Sequence, residues 1–279
     1  MENISIATQI LLDKIANLKA DLRTSRATAE PLEESKSYEC KRCKDELGYL
    51  ITAEDGTKEL WHICECVSER RQKRLLKSSN ITEEFQKFDF ENFTIANRPQ
   101  CVLKAYEKAK FYADQFKNIQ EQKSRVIGIT FLGIPGSGKT HLLTAVANSL
   151  LTRGIEVLYF PWVDGSNELR NTVRQKADVQ AQIDHMKSVQ VLYIDDLFKG
   201  RKEPSEFQLE WLFEVVNFRY LNRLPMLVSS EKYIHQILEI DEGIGRRIYE
   251  RSRDFKVDMI LAKGEEGMQL NYSIMSNVI

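Results

Sequence analysis

The run Gly133-Ile134-Pro135-Gly136-Ser137-Gly138-Lys139-Thr140 satisfies all eight positions of a phosphate-binding loop. Its glycines let the backbone bend tightly and bring N–H groups onto phosphate oxygens with no Cβ in the way. A helix expected to begin at Gly138 adds its positive N-terminal end. In such a loop Lys139 reaches the β- and γ-phosphates of a nucleoside triphosphate, and the Thr140 hydroxyl holds Mg²⁺. The next residue, His141, completes the segment expected to contact ATP or ADP.

Hydrolysis needs carboxylates as well. Val191-Leu192-Tyr193-Ile194-Asp195-Asp196 reads as an apolar strand ending in two acids, the form of a Walker B element. Asp195 is expected to orient Mg²⁺ or its waters, and Asp196 to polarise the attacking water. The plainer alternative is that the two acids cap the following helix. Further on, Gly245-Arg246-Arg247-Ile248-Tyr249-Glu250-Arg251 places Arg247 and Arg251 four apart on one helix face. They are candidates for stabilising charge on a transferring phosphoryl group, Arg247 from a neighbouring subunit; the alternative is surface pairing with Glu242 and Glu250.

A second constellation lies earlier. Cys40-Lys41-Arg42-Cys43, then 20 residues, then Cys64-Glu65-Cys66, holds four of the chain's five cysteines. Two close pairs flanking a loop suit tetrahedral Zn²⁺ bound by four thiolates. Cys-x-Cys is tighter than the commoner Cys-x-x-Cys, so His62 remains a substitute for Cys64 or Cys66. A module this small has little core of its own, and zinc would be its main support.

The elements that must position these groups follow from periodicity. Strands are expected at Val126–Leu132, Ile155–Phe160, Val189–Ile194, Met226–Ser229 and Phe255–Leu261. Helices are expected at Gly138–Leu151, Asn167–Met186, Ser205–Tyr220, Tyr233–Glu239 and Ile244–Arg253. That alternation predicts an α/β fold, a parallel sheet with helices on both faces. Ahead of it, Phe85, Phe88, Phe90 and Phe93 precede a helix over Cys101–Phe116 and read as the entry into this domain. Ile4, Leu11, Ile15, Leu18 and Leu22 form the stripe of an N-terminal amphipathic helix, to be covered by the chain itself, a sister copy or another protein. Thr24 to Ser37 reads as a linker. Ser68 to Lys77 reads as a basic helix, either a solvated face or a strip for phosphate or a partner. The division predicted is residues 1–84, helical and zinc-binding, and residues 85–279, nucleotide-binding.

Composition sets outer bounds. With 279 residues, about two domains are expected. A 42% hydrophobic content supports a sizeable core and argues against wholesale disorder. The apolar runs fall well short of the roughly 20 residues that span a bilayer, and the N-terminus lacks the pattern of a secretory signal. A cytoplasmic protein with no membrane partner is expected. Because 40 basic residues balance 41 acidic ones, net charge gives no argument for nucleic acid, and a basic surface must be local.

The phosphate loop, the Asp195-Asp196 pair, the Met226-Leu227-Val228-Ser229-Ser230 strand and the Gly245–Arg251 helix together resemble the AAA+ domain of DnaC/DnaI-type replicative helicase loaders, phage-borne versions included. The likeness covers roughly Phe85 to Ile279. It implies an ATPase that binds the hexameric helicase and single-stranded DNA and associates with itself through its AAA+ domain. It also implies that Phe88–Phe93 leads towards an adenine pocket, that Ser229 and Ser230 lie in a sensor 1 strand, that Arg247 matches an arginine finger, and that Arg251 acts as a second sensor. Loaders of Gram-positive type carry a similar zinc module, which by the same resemblance helps engage the helicase. Two departures are visible. Many relatives carry Glu where this chain has the shorter Asp196, and Glu231 stands where a sensor Asn is expected. Arg170, Arg174 and Lys176 are candidate DNA contacts. Three other readings share the loop: an IstB-type helper of transposition, a zinc-stapled adaptor that never turns nucleotide over, and a small-molecule kinase.

Overall fold

A computed structural model of the chain describes residues 37–52, 59–122, 125–174, 179–200, 203–263 and 265. The amphipathic helix expected over Ile4 to Leu22, almost all of the linker, Lys176 and the side chain of Arg174 lie outside them. The chain divides into two compact units, residues 1–66 and 67–279.

In the first unit β1 (Gly48–Thr52) and β2 (Glu59–Ile63) form an antiparallel hairpin in which Gly48 pairs with Ile63. The turn before it bends through left-handed backbone at Lys44, Asp45 and Leu47. Asp45 steadies that turn by accepting from the N–H groups of Glu39 and Cys40. The cysteines come from the two ends of this device.

The division differs from the one expected at 84/85, and the packing of α1 (Cys66–Ser78) gives the reason. Leu75 and Leu76 pack on the core of the larger unit, and Ile81 is buried in it. Arg71 and Gln72 donate to the carbonyls of Gly154 and Thr152, at the C-terminal end of α3 (Lys139–Thr152). Side-chain donors, the cationic Arg71 above all, suit the carbonyls left without helical partners at that pole of a helix. The expected basic helix thus belongs with the larger unit.

That unit is built on five parallel strands in the order β4 (Val157–Pro161), β5 (Val191–Asp195), β6 (Met226–Ser230), β3 (Ile129–Gly133), β7 (Lys256–Met259). Each expected strand is present, within a few residues of its expected ends. Side chains alternate between two cores, as a repeat of two requires. Ile129, Phe131, Tyr159, Tyr193 and Leu227 point into one, with α2 (Gln100–Glu121) and α3. Leu132, Leu158, Leu192, Ile194 and Val228 point into the other, with α4 (Trp162–Arg174), α5 (Val179–Ser188), α6 (Glu206–Leu221), α7 (Ile234–Ile240) and α8 (Glu242–Ser252). Burial of both faces explains why the central strands read as unbroken apolar runs.

The single helix expected over Asn167–Met186 is two, α4 and α5, and α4 begins directly after Pro161. Ser205 starts α6 with a capping box, its hydroxyl accepting from the Gln208 N–H while the Gln208 side chain accepts from the Ser205 N–H. Asp241 caps α8. The fully buried Arg219 of α6 donates to the carbonyls of Met186, Lys187, Val189, Gln190 and Pro225, fixing where α5 ends and where β5 and β6 begin.

Candidate nucleotide and metal sites

The phosphate loop leaves the sheet at the C-terminal end of β3. Gly133 has φ +127°, and a Cβ there would stand 2.8 Å from the Met259 carbonyl on β7, so neither the conformation nor the space admits a side chain. Gly138, at φ 96°, is the N-cap of α3 and turns the chain into it. The buried Lys139 folds back along the loop and donates from Nζ to the carbonyls of Gly133 and Ile134, at 2.8 and 2.7 Å. Burial lowers its pKa, against the opposing pull of Asp196, Glu231 and Asp195. Arg98 reaches the far side of the loop, donating to the Ser137 carbonyl.

Thr140 and Asp195 meet. The threonine Oγ1 donates to Asp195 Oδ1 at 3.0 Å, although β6 lies between their strands. Tyr193 and Ser229 donate to the same oxygen, and Tyr159 donates to Oδ2 at 3.1 Å. Four hydroxyls therefore aim one carboxylate, whose burial nevertheless raises its pKa. Asp196 turns away at φ 56°, its N–H held by Ser229 Oγ and its Oδ2 bonded to Lys199 Nζ at 2.8 Å. Lys199 also pairs with Glu231, at 3.0 Å.

Lys139, Thr140, Asp196, Lys199 and Glu231 line one cavity of about 870 Å³, which continues to Phe85, Phe88 and His141. That is the scale of a pocket for a ligand of nucleotide size. The aromatic segment is held against α3: Asn148 donates to the carbonyls of Phe85, Gln86 and Phe88, and Phe88 stacks on His141 at 4.3 Å. The His141 ring donates from Nε2 to the Asp89 carbonyl and Asn92 Oδ1, and burial lowers its pKa.

The structure does not bring the two arginines to this cavity. Helical spacing does put Arg247 and Arg251 on one face of α8, but that face looks at α6. Arg247 donates to Asn217 and to the Gly243 carbonyl and lies over the Phe213 ring. Arg251 is buried, donating to the carbonyls of Arg125 and Tyr220 beside the Tyr220 ring. Its own carbonyl accepts from Ile127 and Gly128, at the end of β3 opposite the phosphate loop. Arg251 is thus a packing group in its own chain, and the sensor role expected for it is not supported. The surface pairs with Glu242 and Glu250 belong to Arg246. Arg170 borders a separate cavity with Trp162 and Phe198.

In the smaller unit the Sγ atoms of Cys40, Cys43, Cys64 and Cys66 all lie within 4.8 Å of one another. Cys40–Cys64 is 3.8 Å and Cys43–Cys66 is 3.4 Å, too long for disulfides and close to the roughly 3.8 Å edge of a tetrahedral ZnS₄ centre. The N–H of Cys43 holds the Cys40 thiol down to about 7, whereas burial among neighbouring sulfurs drives Cys66 up. Four such thiols cannot all ionise without a cation among them, so the donor set fits a divalent metal. His62 is not part of the cluster; it faces Tyr49 across the hairpin.

A family model described as IstB-like ATP binding protein matches residues 65–241. The chain belongs to that family. The phage-like element PBSX protein XkdC of Bacillus subtilis (strain 168) is 41% identical over 241 residues, covering 85% of this chain and 86% of that protein. The replicative helicase loader DnaC of Escherichia coli (strain K12) is 27% identical over 186 residues, 66% of this chain and 70% of the loader. A crystal structure of DnaI superposes with a TM-score of 0.53 at 21% identity, over 64% of this chain and 94% of that one, a likeness of fold. The IstB-like match contains the phosphate loop and the Asp195-Asp196 pair, and it ends before Arg247. Among the described residues no helix is long and apolar enough to cross a membrane.

Proposed function

We propose that this IstB-like chain is an ATPase that loads a hexameric replicative helicase onto single-stranded DNA. The observation that carries the ATPase reading is the Thr140–Asp195 hydrogen bond beside the phosphate loop, which joins the two expected Mg²⁺-orienting groups next to the cavity that Thr140 lines. When bound, Mg²⁺ neutralises charge on the β- and γ-phosphates. Lys139 and the amides of Gly136 to Thr140 grip the triphosphate, with the base directed towards Phe88 and His141. Asp196 takes a proton from the attacking water as the bond between the γ-phosphorus and the bridging oxygen breaks, leaving ADP and phosphate.

Helicase loading rests on the 27% identity with DnaC, and the four cysteines are read as a zinc module that engages the helicase. Self-association is part of the reading, Arg247 acting at a neighbouring copy's nucleotide. Purified protein mixed with the hexameric helicase and ATP or ADP should give a co-eluting complex that transfers helicase to a closed single-stranded circle. Failure to co-elute with either nucleotide removes the loader assignment. The family description favours one second reading, an ATPase helper of DNA transposition. That reading requires tight binding to duplex DNA and to a transposase.

A further inference from the structure

The end of β6 poses an electrostatic problem. Three carboxylates, Asp195, Asp196 and Glu231, stand close enough to Lys139 to act on its charge, and Asp196 and Glu231 line the same cavity. A triphosphate approaching them meets repulsion unless another cation intervenes. Besides the Mg²⁺ of the proposed function, Lys199 is a cation built into the chain at that place, bonded to Asp196 Oδ2 at 2.8 Å and to Glu231 Oε1 at 3.0 Å and itself part of the cavity wall. Partial burial works against its charge, but the two carboxylates outweigh it and hold its pKa above the ordinary lysine value. An ammonium carries three N–H donors, and these carboxylates occupy two.

Resting on the nucleotide site proposed above, we infer that Lys199 is the γ-phosphate contact of this chain, aimed by Asp196 and Glu231, so that the site tells ATP from ADP through a cation. The position fits the role. Lys199 follows Asp196 by three residues on a turn pinned by the Lys199 N–H donating to the Asp196 carbonyl and by the Leu197 N–H donating to the Ser229 carbonyl. Its ammonium therefore sits beside the acid expected to handle the attacking water, on the γ side of the nucleotide. Glu231 gains a reason in this arrangement: it orients the lysine.

The test is the affinity ratio for Mg·ATP and Mg·ADP, measured by competition with a fluorescent nucleotide for the full-length protein and for Lys199→Ala, Lys199→Arg and Lys139→Ala. Loss of one charge-assisted hydrogen bond to the γ-phosphate predicts a fall in ATP affinity of about 10- to 100-fold in Lys199→Ala, with ADP affinity changed less than about threefold. Lys199→Arg should restore most of the loss. Equal changes for ATP and ADP, or unaltered ATP affinity, overturn the inference. If the wild type binds neither nucleotide, or Lys139→Ala binds both as wild type does, the nucleotide site itself is misassigned; those outcomes are distinct from a failure at Lys199 alone.

Discussion

Thr140 Oγ1 donates to Asp195 Oδ1 over 3.0 Å, tying the first turn of α3 to the end of β5 across the intervening β6. The carboxylate is buried, four hydroxyls surround it, and its pKa is still raised. A carboxyl whose folded pKa exceeds its unfolded value binds its proton more tightly when folded. Its contribution to stability is therefore lost as pH climbs from the unfolded value of 3.8 through the folded one. Near neutral pH the ionised group is a burden on the fold. Asp195→Asn should raise the thermal midpoint at about pH 7 while stopping ATP hydrolysis. A lowered midpoint in a thermal melt would show that the ionised form is stabilising.

Lys139→Ala removes the ammonium from the loop. Nucleotide affinity should fall by about 10- to 100-fold, the scale of one charge-assisted hydrogen bond, with little change in circular dichroism. Unchanged affinity in a fluorescent-nucleotide titration contradicts the site.

For the cysteine cluster, metal analysis should give about one zinc per chain, the stoichiometry of a four-thiolate site. Cys43→Ser should lose the metal and His62→Ala should keep it. Equal loss from both variants would restore the histidine as a ligand.

His141 is buried and favours its neutral form. A depressed folded pKa gives stability that is present above the unfolded value of 6.5 and is lost as pH falls through the folded one. Between about pH 7.5 and pH 5.5 the wild type should lose more of its melting temperature than His141→Gln does. Parallel curves for the two proteins would remove the histidine from the acid response.

Arg251→Met should destabilise the chain by about 1–3 kcal/mol, since buried carbonyls lose their donors. ATP affinity should remain as in the wild type. Urea denaturation and nucleotide titration on one preparation separate the two effects, and a selective loss of ATP binding would return Arg251 to the nucleotide site.

Most of the scaffold was legible because the chemistry of a parallel sheet is written locally: an apolar run, a turn and a helix, four times over, and then a fifth apolar run. The first strand shows the limit. Val126 and Ile127 were expected in it, but the N–H groups of Ile127 and Gly128 go to Arg251, and the ladder begins at Ile129. The acids and the loop announced themselves by type and spacing. Tyr159 and Tyr193 did not, because a tyrosine in a buried strand reads as core. Their role appears only in the register that pairs Tyr159 with Tyr193 and Pro161 with Asp195. The arginine spacing gave the shared helix face correctly but carried no information on which way that face looks. Lys199 carries no such signal in the sequence either, since its partners lie on two different strand ends.

The serines of β6 have a bearing on any attempt to retune the site. Ser229 Oγ touches Asp195 at the end of β5 and the N–H of Asp196 just after it, and Ser230 Oγ holds the Leu197 carbonyl beyond them. The heading of residue 196 is thus set by the neighbouring strand, and lengthening that acid to glutamate would extend its reach along an unchanged bearing. Steering it elsewhere means editing positions 229 and 230.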